Sequence, residues 1–224
     1  AVSRHCRAAR SCGRGVVTHS GLLLVGASGL AREVLAAGIA GVVGVLDDNP
    51  ALLGTDIGGA AVVGTIADAA TRPEQLLLCI GPGAGRRSVA QRLATLGIGD
   101  ERYSTFVAPS ARVGTTSVVG AGSILLDGVV VTADAELGKH VVVMPNCTIT
   151  HDNRLADFAT LAAGVSLGGT VFVGHAAYLG MNASVRPGLS IGPDATLGMG
   201  AVLLTSLPAG ETWAGVPARA IPSL

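Results

Sequence analysis

The chain has 224 residues, with 33 glycines, few aromatic side chains and 13% charged residues. An apolar share of 49% excludes a disordered protein, and the absence of a Gly-X-Y period excludes collagen. Fifteen basic and fifteen acidic residues cancel, which leaves no broad field to draw nucleic acid or an anionic membrane surface.

Residues 1–20 carry Arg4, Arg7, Arg10 and Arg14 but lack the apolar stretch of a signal peptide, so a disordered leader is expected there. Cys6, Cys12, Cys79 and Cys147 are scattered, with no CxxC, and read as neither a disulfide framework nor a zinc site; a reducing cytoplasm is the expected location. No run approaches the length of a membrane span. Residues 21–26 form a short apolar run ending in Gly, the pattern of a buried strand, and residues 27–37 read as a helix. A second strand over 42–46 ends at the loop signal Asp47-Asp48-Asn49-Pro50. A third over 76–80 is closed by Gly81-Pro82-Gly83, and 86–96 has a helical pattern. This alternation predicts a small Rossmann-like α/β domain with a parallel sheet over 21–104.

A repeat governs the next hundred residues. Stepping by six from Val107 to Leu203, every position is Val, Leu or Ile: seventeen of seventeen, where chance would give about five. Four residues after each, the side chain is often small, as at Ala135, Ala159, Ala177 and Ala195; Gly often follows the aliphatic residue, as at Gly114, Gly120, Gly174 and Gly180. A period of six matches neither a helix nor a simple strand. It matches a short strand plus a turn, three of which close a triangular coil of about 18 residues, a parallel β-helix over 105–206. The aliphatic side chains are expected to point inward, the small ones to fit the narrow corners, and Gly to permit turn dihedrals. Trp213 and Pro217, within residues 207–224, suit a tail that caps the open end of the solenoid.

Three places carry candidate chemistry. Gly26-Ala27-Ser28-Gly29, between a strand and a helix, fits a backbone cradle for phosphate or a plain tight turn. Asp47-Asp48 fits a hydrogen-bond acceptor for ribose or base, or a solvated loop. His151 sits near a turn of the repeat beside Asp152, and a carboxylate next to an imidazole can fix its tautomer and raise its basicity. One coil later the stacked position is Gly169, which leaves room for a ligand; the alternative is a lone surface histidine. His140, His151 and His175 are spaced unlike the three-histidine zinc sites of other β-helical prisms, so no metal is expected.

The hexads and the tail Gly215-Val216-Pro217-Ala218-Arg219 resemble the hexapeptide-repeat acyltransferases, whose prisms are left-handed β-helices and usually trimers. Leu24-Val25-Gly26-Ala27-Ser28-Gly29, Leu46-Asp47-Asp48-Asn49-Pro50, Ile80-Gly81 and Thr150-His151-Asp152 resemble, in that order, the NeuD/PglD-type sugar O/N-acetyltransferases. The resemblance implies acetyl transfer from acetyl-CoA, as co-substrate and without a metal, to an amino or hydroxyl group of a sugar, with a nucleotide-linked amino sugar foremost. It implies His151 as general base supported by Asp152. It implies Thr160, Gly169, Met181 and Met199 against acetyl-CoA, and Ser28, Gly29, Leu30, Asp47, Asp48 and Gly81 against the nucleotide sugar, in a cytoplasmic homotrimer with no nucleic-acid or membrane partner. Leu30 and Thr160 stand where some members have His, and Thr150 where many have Glu. Two other readings stay open: O-acetylation of sialic acid or another small alcohol, and a binding or scaffold protein that kept the prism without the chemistry.

Overall fold

The computed structural model describes residues 21–221; the expected leader lies outside them. The first part is a five-stranded sheet made of β1 (Leu22–Val25), β2 (Val42–Leu46), β3 (Asp56–Ile57), β4 (Ala60–Gly64) and β5 (Gln75–Leu78), in the order β3-β4-β2-β1-β5. All pairs are parallel except β3 with β4. The β3–β4 hairpin has no counterpart in the sequence pattern: β3 has only two residues, and Gly58 and Gly59 of its turn both adopt positive φ. Helix α1 spans Gly29–Ala36 and starts later than the pattern suggested, because Ser28 caps it: the Leu30 N–H donates to the Ser28 hydroxyl at 3.1 Å. Helix α2 spans Gly83–Thr95 and starts earlier, with Pro82 at the cap position.

From Phe106–Val107 to Val202–Leu203 the chain runs through seventeen two-residue strands that form three faces. Each strand pairs in parallel with those one coil away, as Arg112 with Val130, Val130 with Thr148 and Thr148 with Ser166. Outward positions Phe106, Ile124, Val142, Thr160, Tyr178 and Thr196 mark the first face, Arg112, Val130, Thr148, Ser166 and Ser184 the second, and Glu136, Arg154 and Phe172 the third. The sixfold aliphatic positions are buried from Leu125 through Leu203 and fill the prism. Two expectations need correction. Val107 is 40% exposed, because no coil stacks above it at that end. The glycines that follow the aliphatic residues do not supply turn dihedrals: Gly114, Gly120, Gly174 and Gly180 lack positive φ. They are required by close approach of the next coil, since a Cβ at Gly174 would lie 2.5 Å from the Pro193 nitrogen and one at Gly180 2.5 Å from the Met199 nitrogen. The left-handed residue of each turn sits elsewhere in the hexad, at His140, Asn146, Asp152, Phe158 and their counterparts.

The sheet is docked on the prism. Leu22, Leu24, Leu30 and Val34 share one core with Phe106, Ile124, Leu126 and Val142, so the first three outward residues of the first face are covered. Two ion pairs cross the seam, Arg87 with Asp194 at 3.0 Å and Lys139 with Asp100. Further along, the same face is open. At the other end Leu207 and Ala218 join the prism core and Trp213 packs against it.

Candidate active site

His151 and Asp152 lie on the corner between the second and third faces, after the Thr148–Ile149 strand. Side chains of adjacent residues normally diverge. Here Asp152 takes φ +58°, a region Asp tolerates, and its Oδ2 comes to 2.6 Å from His151 Nδ1. With Nδ1–H directed at a carboxylate, the tautomer that this contact assigns leaves Nε2 as the free acceptor. The turn is held from both neighbouring coils: Asp152 N–H donates to Ala133 O at 3.1 Å, and Thr170 N–H to His151 O at 3.0 Å. Thr150 Oγ1 donates to Leu167 O at 2.9 Å. Asn153, fully buried at a position where most hexads have Ala, Ser or Val, donates to Thr150 O and accepts the Val171 N–H, each at 2.9 Å.

Gly169 is stacked under the imidazole as the sequence implied. A Cβ there would sit 2.5 Å from both Cε1 and Nε2 of His151, so only glycine lets the ring lie where it does. The Gly169 N–H donates to no group among the described residues. The arrangement is that of an exposed, oriented base with a bare flank and an available backbone donor, suited to taking a proton from an incoming nucleophile.

The other expected acetyl-CoA residues are elsewhere on the chain. Met181 and Met199, 48% and 71% exposed, stack on the corner between the first and second faces. Thr160 is buried on the first face. Thus Gly169, on one corner, does not meet Met181 and Met199, on another, within the chain.

A groove of about 950 Å³ opens between the α/β sheet's loops and the uncovered part of the first face. Gly29, Leu30 and Gly81 line one wall, and Thr160, Tyr178 and Met181 the other. The remaining three residues expected against substrate hold the fold beside it. The Ser28 hydroxyl donates to Cys79 O at 2.6 Å. Asp47 accepts the Ala27 N–H at 2.8 Å and the Asn49 N–H at 2.9 Å. Asp48 accepts the Ile66 N–H at 3.1 Å and pairs with Arg92 at 2.7 Å, and the hydrogen bond from Arg92 is the main cause holding its carboxyl below the usual range.

Two buried groups had no signal in the sequence. Arg86, on α2, is fully buried where the groove's two walls meet; burial pulls its pKa down to about 10. His140 is buried between Tyr103 and Phe158, with ring centroids at 4.5 Å and 5.1 Å. Burial first, and the nearby Arg86 charge second, push its pKa down to about 4, so it is neutral at pH 7. Among the described residues no three His, Cys, Asp or Glu side chains gather as a metal site would require, and no helix is long and apolar enough to cross a membrane.

No protein-family model matches the chain, and no curated protein matches it significantly. Solved structures do. The acetyltransferase domain of PglB from Neisseria gonorrhoeae FA1090, in complex with acetyl coenzyme A, is 28% identical over 91% of this chain and 100% of its own, with a TM-score of 0.81. A variant of GDP-perosamine N-acetyl transferase from Caulobacter crescentus, in complex with CoA and GDP-perosamine, is 28% identical over 91% of this chain and 97% of its own, with a TM-score of 0.82. WeeI from Acinetobacter baumannii AYE is 25% identical over 90% of this chain and 99% of its own, with a TM-score of 0.79. Over nine-tenths of its length the chain therefore has the architecture of the sugar acetyltransferases that its sequence resembles, a small α/β part followed by a left-handed parallel β-helix.

Proposed function

We propose that this protein transfers an acetyl group from acetyl-CoA to the amino group of a nucleotide-linked sugar, by direct attack within a homotrimer. The observation that carries the reading is the His151–Asp152 pair held at 2.6 Å over the bare Gly169. It is supported by the similar structures in complex with CoA, acetyl-CoA or GDP-perosamine.

The acceptor nitrogen attacks the thioester carbonyl carbon while His151 Nε2 takes the proton from that nitrogen. Asp152 holds the ring and stabilises the imidazolium. The oxyanion formed in the attack accepts a hydrogen bond from the Gly169 N–H. When the tetrahedral intermediate collapses, the C–S bond breaks and the proton passes from His151 to the CoA thiolate. The products are the acetamido sugar and free CoA, with the base restored.

The separation of the parts supports a trimer. Gly169 lies on one corner of the prism and Met181 and Met199 on another, so a rotation that seats one subunit's first corner against its neighbour's second gathers them into one site. The groove along Gly29, Leu30 and Gly81 then presents the acceptor to the neighbour's His151. Acetyl-CoA, nucleotide sugars and the free, buried thiols of Cys79 and Cys147 suit a cytoplasmic enzyme. The test is incubation with labelled acetyl-CoA and a panel of UDP-, GDP- and CMP-linked amino sugars, GDP-perosamine among them. Label is expected in one class of sugar with CoA released in equal amount; a wild-type protein that labels none overturns the reading.

A further inference from the structure

One charged group plays no part in the transfer as described. Arg86 has no carboxylate partner among the described residues, although it is fully buried. Its guanidinium donates instead to six oxygen atoms on both sides of the seam. On the α/β side, Nη1 reaches Ile80 O at 2.8 Å and Gly81 O at 2.6 Å. On the prism, Nε reaches His140 O at 3.0 Å, and Nη2 reaches Phe158 O at 2.8 Å, Ala159 O at 3.1 Å and Thr160 Oγ1 at 2.8 Å. Burying a cation without an anion is costly, and only a full set of charge-assisted hydrogen bonds offsets it. A planar fork of three nitrogens spans these directions at once; an ammonium does not.

The residues that receive these bonds lie at the site. Gly81 is on one wall of the groove and Thr160 on the other. The seam beside them is tight: a Cβ at Gly83 would lie 2.3 Å from Phe158 O. The loop before α2 is thus held to two successive coils of the prism, at His140 and at Phe158–Thr160, chiefly by the Arg86 side chain.

We infer that Arg86 is a positioning residue of the transfer reaction, fixing the Gly81 loop, and the acceptor it holds, at the level of the prism from which the acceptor's amine meets the base. The inference rests on the acetyltransferase reading and on the acceptor lying in the groove. A purely structural strut would act through the amount of folded protein and touch both substrates alike. A positioning residue acts on the acceptor, while acetyl-CoA, bound along the corners of Gly169, Met181 and Met199 and not on the buried Thr160, keeps its affinity.

The variants are Arg86→Lys, which keeps the charge and loses the fork, and Gly83→Ala, which keeps the guanidinium and wedges the seam. Steady-state rates of the purified oligomer are normalised to folded protein by circular dichroism, with acetyl-CoA and GDP-perosamine, or whichever nucleotide amino sugar the wild type acetylates. Both variants are expected to lower kcat/KM for the sugar about 10–100-fold, as a misplacement of order 1 Å does, with the KM for acetyl-CoA within about twofold. A sugar kcat/KM within twofold of wild type, or an acetyl-CoA KM that rises in proportion, overturns the inference. Should Arg86→Lys not fold, Gly83→Ala decides by the same two outcomes. A wild type that acetylates no sugar overturns the transferase reading itself and takes the inference with it.

Discussion

His151 depends on two neighbours, Asp152 and Gly169, each replaceable separately. His151→Ala removes the base and is expected to lower kcat about 10²–10⁴-fold without unfolding the exposed turn, read by the same acetyl-transfer assay and a thermal melt. Asp152→Asn keeps a partner of the same shape at Nδ1 and is expected to cost less than His151→Ala; an equal loss would give Asp152 a direct part in the proton transfer. Gly169→Ala puts a methyl 2.5 Å from Nε2 and is expected to displace the ring, lowering kcat with little change in melting temperature. The pair and its glycine were legible because adjacency and an 18-residue stacking interval are properties of the sequence. Asp152's positive φ, which makes the pair meet, was not. Nor was Arg86: it stands beside Arg87, and nothing in the sequence distinguishes the arginine that is buried from the one that pairs with Asp194 at the surface.

At the scale of the coil, the regular aliphatic spacing made the prism legible, since a hydrophobic residue every six positions has no other compact solution. The meaning of its glycines was not. Turn dihedrals and close approach both call for Gly, and only the coordinates separate the two: Gly122, Gly128, Gly164, Gly188 and Gly200 take left-handed positions that Asp, Asn and His share, while Gly174 and Gly180 mark contact between coils. Gly174→Ala would force a methyl to 2.5 Å from the Pro193 nitrogen; it is expected to destabilise by about 1–3 kcal/mol in urea unfolding. Asn153→Ala would leave the buried Val171 N–H without its 2.9 Å partner and is expected to cost about 1–3 kcal/mol, while also loosening the turn that carries His151. In the α/β part, the acidic pair after β2 illustrates the same limit: Asp47 and Asp48 could be read equally as ligands or loop residues, and their carboxylates are engaged with Ala27, Asn49, Ile66 and Arg92.

Across the whole molecule, the seam between sheet and prism bears on stability as well as on the proposed transfer. His140 lies in it, neutral, with Nδ1 unpaired among the described residues and with Arg86, Lys139, Asp100 and Asp157 around it. Its pKa is about 4 in the folded protein against 6.5 for a free histidine. The unfolded chain therefore takes up the proton first as pH falls, and the stability contributed by neutral His140 is full above pH 6.5 and lost progressively between 6.5 and 4. Between pH 7 and 5 the loss is expected to be about 2 kcal/mol, and His140→Phe should remove that part of the slope in urea unfolding at the two pH values.

The account's central claim is that acceptor groove and base come from different subunits, and mixing two dead variants tests it most directly. His151→Ala keeps the groove. Gly81→Trp keeps the base and is expected to block the groove that Gly81 lines, since a Cβ built at Gly81 meets nothing within 4 Å. Each alone is expected to be inactive. Co-expressed in equal amounts, they should form mixed trimers in which about a quarter of sites join an intact groove to a neighbour's intact His151, restoring about that fraction of wild-type acetyl transfer. A mixture as inactive as its parents, beside an active wild type, would contradict the claim and put groove and base on one chain.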